Sequence, residues 1–124
     1  MEENLRIARS LVYKFNELVQ AQDIDAILDA LSEEATIQIP GYSAFSGKDT
    51  IREFYATRFK TKGSFRFELD VTDEREMSDL CFINGAMTRI IDRAGQPQEV
   101  TELSFSFILR KEGGVMKVWQ LRVV

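Results

Sequence analysis

The sequence contains no histidine and only one cysteine. Without imidazole there is no Ser-His-Asp or Cys-His mechanism, no His proton shuttle and no His metal ligand. No other motif has metal-ligand spacing, so neither a metal nor a cofactor is implied. A lone thiol excludes an internal disulfide. Cys81 lies in the apolar run LCFING and reads as a buried strand residue rather than a nucleophile. Long apolar runs are also missing, so no bilayer-spanning segment is expected. The start, MEENLRIARS, lacks the basic and apolar blocks of a secretory signal, which makes a cytoplasmic location the default. There is no basic run, and the net charge is -4; binding to a nucleic-acid backbone is therefore not expected.

What is present reads as one domain over residues 1–124, with 44% apolar and 29% charged residues, enough for a core without staples. Leu5, Ala8, Leu11, Val12, Phe15, Leu18 and Val19 recur at helical spacing. Asp23 is placed to cap a short second helix, IDAILDAL. ATIQI reads as a short strand that ends at Pro40-Gly41. SGKD, Ser46 to Asp49, fits a capping box opening a third helix, with Ile51, Phe54, Tyr55 and Phe59 on one side. Four strands follow, the last two joined by a tight turn at Gly113-Gly114. This order predicts an α+β fold with the helices on one face of a mainly antiparallel sheet.

Four segments carry a family resemblance: AQDIDAILDALSEEATIQIPG, FSGKDTIREFYATRF, SDLCFINGAMTRII and FSFILRKEGGVMKVWQLRVV. In this order they resemble the nuclear-transport-factor-2-like superfamily, and within it the SnoaL-like and ketosteroid-isomerase-like proteins. The resemblance implies a cone-shaped, cystatin-like roll in which three N-terminal helices pack on a curved sheet around a mostly apolar pocket. It also implies a homodimer joined through the sheet. Trp119, with Ser104 and Ser106, is the candidate contact.

The resemblance does not settle the chemistry, because this fold serves isomerases, dehydratases, cyclases, hydrolases and binding modules. In the resembling isomerases an Asp before the proline moves the proton; here that position is Ile39. The helix-borne Tyr of the oxyanion hole falls on Phe15, and the protonated Asp near Phe105. A base and donors at the enolate oxygen are what that mechanism requires. The epoxide-hydrolase set of two Asp and an Arg has no counterpart.

Counting back from a two-residue turn at Gly113-Gly114 places Phe105 opposite Arg122 and Phe107 opposite Gln120. Gln120 and Arg122 then become polar points at the pocket's open end, where an Arg can hold a carboxylate, enolate or phenolate. Tyr42 and Tyr55 are further donor candidates, each also suited to packing. The candidate ligand-binding set is thus Phe15, Ile39, Tyr42, Tyr55, Phe105, Gln120 and Arg122. The leading expectation is a protein that binds a small, apolar, oxygenated molecule without the usual isomerase base. The alternatives are an isomerase, cyclase or lyase using Arg122, Gln120 and a Tyr, and a protein-association module.

Overall fold

The structure, a computed structural model, describes residues 2–60 and 64–124. Helix α1, Glu2–Gln20, turns Ala8, Val12 and Phe15 into the core, as the helical spacing predicts. Helix α2, Ile24–Ala30, is capped by Asp23, whose carboxylate accepts from the Ala26 amide at 3.2 Å. The chain passes directly into β1, Leu31–Gln38. This strand starts before the β-branched stretch because Leu31 already pairs with Val118 of β6, Val115–Val123. Tertiary pairing thus overrides the weak strand propensity of Ser32-Glu33-Glu34.

A two-residue strand β2, Phe45–Ser46, precedes α3, Lys48–Phe59. The expected capping box does not form. Gly47 is the N-cap at φ +89°, with no side-chain cap bond, because Ser46 is committed to β2 and its hydroxyl lies 2.8 Å from that of Thr36. Such a positive φ suits glycine, which carries no Cβ to clash. Gly47 accepts from Ile51 through its carbonyl and donates to the Ala35 carbonyl, which ties the helix start to β1.

Strands β3 (Ser64–Met77), β4 (Leu80–Asp92), β5 (Glu99–Glu112) and β6 form an antiparallel meander. β1 joins it parallel to β6, which gives the order β2-β1-β6-β5-β4-β3. Register shifts at Thr72 in β3 and Trp119 in β6 mark bulges, which bend a strand and sharpen its twist. The helices fill the concave side, where Ile83, Phe105, Leu109 and Val118 meet Val12, Ile27 and Ile51. Along the free edge of β3, α1 supplies three hydrogen bonds. The Phe67 amide donates to Gln20, its carbonyl accepts from Asn16, and the Val71 amide donates to the Tyr13 hydroxyl. No helix among the described residues is long and apolar enough to cross a membrane.

The base of the roll is held by a polar cluster. The fully buried Ser32 hydroxyl donates to Glu112. Arg110 reaches Glu112 at 3.1 Å and Glu34 at 3.0 Å, and its guanidinium lies 4.4 Å over Trp119. The Ser32 hydrogen bond holds the Glu112 carboxyl below its ordinary range, burial opposes this, and Arg110 assists. A carboxyl depressed in the folded state stabilises fully above the unfolded Glu value of about 4.3. That contribution is lost as pH falls through the depressed value. Glu112→Gln is therefore expected to be less stable than the parent at neutral pH, with the gap closing below about pH 4. Paired urea titrations across pH check this, and a pH-independent gap would rule out the carboxylate as its source.

Candidate functional site

Between α1, α3, the segment after β1 and the concave sheet lies a cavity of about 150 Å³. Its inner wall is apolar: Phe15 and Val19 from α1, and Leu69, Met87, Leu103 and Phe107 from successive strands. Phe15 and Phe107 meet edge-on with centroids 5.8 Å apart, and Phe107 meets Phe105 in the same way at 5.7 Å. Edge-to-face pairs of this kind fix ring positions beyond simple burial. Toward the opening stand Ile39, Pro40, Tyr42, Phe54 and Tyr55. Phe54 is the hub of that rim, with Tyr42, Phe45 and Tyr55 at centroid distances of 5.6, 4.9 and 5.2 Å.

Four of the expected site residues, Phe15, Ile39, Tyr42 and Tyr55, come together on this lining. Phe105 does not reach it. Its ring packs behind Phe107 and over Gly85, 2% exposed, in the core. Gln120 and Arg122 are a correction. The hairpin begins in the expected register, Glu112 opposite Val115, but the bulge inserts Trp119. Beyond it Gln120 faces Ile108, Arg122 faces Ser106, and the inward residues are Leu121 and Val123. One extra residue flips every later side chain to the other face. Arg122 is exposed, and neither residue lines the cavity.

Besides the two tyrosines, the polar residues that line it are Asn16, Arg58 and Arg89, all missed from the sequence. Arg89 has the parity of Ile83 and Met87 along β4, which is the signal that places it inward. Arg58 follows Phe54 and Tyr55 by one helical turn, on the same side of α3. Its guanidinium lies 4.9 Å from the Phe65 ring centroid and 5.6 Å from that of Phe54. Burial pushes Arg58 below its usual range; the Tyr42 hydroxyl opposes this and the positive charge of Arg89 adds to it. The Arg89 Nε is buried and has no hydrogen-bond partner among the described residues, while one terminal nitrogen reaches Thr101 at 3.5 Å. Burial pushes the Tyr55 phenol up, with Arg58 opposing, so Tyr55 stays a neutral donor at physiological pH.

Among the described residues no Asp or Glu belongs to the lining. Among the described residues no group of three or more His, Cys, Asp or Glu gathers as a metal site would require. Cys81 is buried in β4 as a small hydrophobe, its thiol pushed up by burial and by Glu76.

The sequence profile of the SnoaL-like domain matches residues 12–119. No curated protein matches the chain. Among solved structures, a ketosteroid isomerase-like protein from Erwinia carotovora atroseptica superposes with a TM-score of 0.87 at 20% identity, covering 99% of this chain and 96% of that one. A putative dehydratase of the NTF2-like family from Streptomyces avermitilis gives 0.85 at 13% identity, over 98% and 95% of the two chains. An NTF2-like protein with a cystatin-like fold from Novosphingobium aromaticivorans gives 0.83 at 12% identity, over 98% and 80%. At these identities the likeness establishes the fold alone.

Proposed function

From a chain that belongs to the SnoaL-like domain family, we infer a protein that binds a small, apolar, oxygenated molecule in the cone cavity without abstracting a proton from it. The observation that carries this is the lining: apolar on its inner wall, with a few polar groups toward the opening and no carboxylate. Binding pockets need only a few placed polar groups for orientation. Proton abstraction beside a carbonyl needs a base within reach, and an arginine does not serve. An isomerase or lyase built on Gln120 and Arg122 loses its support, since both sit outside the cavity. Arg58, Arg89 and Tyr55 are the groups left to steady an enolate, and they still lack a base. A homodimer through the sheet belongs to the same proposal, its candidate face carrying Ser104, Ser106, Ile108 and the bulged Trp119.

The test is a chemical-shift titration of the intact chain with benzamide, a neutral single-ring probe. It is expected to move the resonances of Phe15, Met87 and Phe107. In Leu103→Trp, where an indole fills the cavity, those shifts should disappear while the rest of the spectrum stays folded. Benzamide shifts scattered over the surface, or unchanged by Leu103→Trp, would remove the cavity as the site.

A further inference from the structure

An open groove of about 950 Å³ runs beside the cavity, and the two share Tyr42, Phe54, Arg58 and Arg89. These four mark the junction between an apolar interior and a polar exterior. The arginines there differ from their counterparts elsewhere in the chain. Arg9 pairs with Glu74, Arg52 with Asp25, Arg93 with Glu99 and Arg110 with Glu112. Arg122, which forms no ion pair among the described residues, is exposed to water. Arg58 and Arg89 are only partly exposed and form no ion pair among the described residues; of the two carboxylates in the same groove, Glu99 is paired with Arg93 and Glu53 with neither arginine. Two neighbouring cations partly withdrawn from water without an ion-pair partner carry a cost, and a fold tolerates them where an anion completes the site.

We infer that the junction takes the carboxylate of a small organic acid with a single aromatic ring, its ring inward and its carboxylate on Arg58 and Arg89. This rests on the cavity being a ligand pocket at all. The size follows from the volume: an apolar cavity of about 150 Å³ accepts benzene, and this one is of that size. The carboxylate follows from geometry. A guanidinium is a planar fork that matches the two oxygens of a carboxylate, and such bidentate, charge-assisted bonds are about twice as strong as neutral ones. Arg58 lies over the Phe65 and Phe54 rings, and its donors form no ion pair among the described residues. The buried Nε of Arg89 is a donor with no acceptor among the described residues. The orientation follows from the wall, since Phe15, Leu103 and Phe107 offer an anion nothing.

The test compares benzoate with benzamide, nearly identical in shape and different in charge, by the same titration of the intact chain. Benzoate is expected to bind at least about tenfold more tightly. Arg58→Met and Arg89→Met should each erase most of that preference, weakening benzoate far more than benzamide. Arg66→Met, an outward arginine near Glu68, removes the same net charge and should change neither. Equal affinity for the two probes, or a preference that survives in both inward variants, overturns the carboxylate assignment and leaves the pocket standing. If neither probe moves the cavity resonances, both proposals fall.

Discussion

Replacing Gly85 by alanine is expected to cost about 3 kcal/mol, at the upper end of what overpacking usually does. A Cβ on Gly85 would stand 2.1 Å from the Asp70 carbonyl oxygen and 2.8 Å from the Phe105 ring. The ring can tilt, but the carbonyl cannot, because Asp70 pairs with Ala86 in the β3–β4 ladder next to the bulge at Thr72. Relief therefore requires the two strands to part where the sheet bends. The double variant Gly85→Ala/Phe105→Leu is expected to be no more stable than Gly85→Ala alone, since the main obstacle is backbone. Urea midpoints for the parent and the variants check this. Rescue by the smaller side chain would mean that the Phe105 contact, rather than Asp70, sets the cost.

Arg89→Met is expected to stabilise the chain by about 1 kcal/mol, the low end of what an unsatisfied buried polar group costs, since only its Nε is buried. The methionine keeps the stem that packs between Phe67 and Thr101 and removes the unpartnered Nε. It also ends the repulsion felt by Arg58. Arg89→Ala should not show the gain, because the vacated volume costs what the lost charge returns. Thermal unfolding of both variants without ligand decides the matter: a lower melting temperature for Arg89→Met would show that the guanidinium is satisfied in solution. A stability gain combined with lost benzoate preference is the pattern of a site held against the interest of the fold.

These expectations bear on what the sequence discloses. The helices, the antiparallel meander and the Asp23 cap follow from periodicity and turn chemistry, because each depends on neighbours in the chain. Of the candidate cavity, the apolar Phe15 and Ile39 and the tyrosines Tyr42 and Tyr55 were expected from the sequence and reach the lining. Its arginines and Asn16 were not expected. Alternation carried forward from the turn puts Gln120 and Arg122 inside, and a single bulged residue puts them outside. The clue was present in the spacing, for Met116 and Val118 step by two and Leu121 then follows by three. Ser46 shows the same limit. Its capping pattern is local, but a strand pairing ten residues away claims the hydroxyl first.

The contacts between α1 and β3 bear on the molecule's behaviour at high concentration. β3 is a fourteen-residue strand at the border of the sheet, the kind of border on which a stray chain can polymerise. Gln20, Asn16 and Tyr13 already occupy two amides and one carbonyl in the middle of that border. The opposite border, β2, is only two residues long and offers little to grip. The helix that walls the cavity therefore also protects the protein from forming fibres, and loosening it would threaten solubility before it threatened the fold.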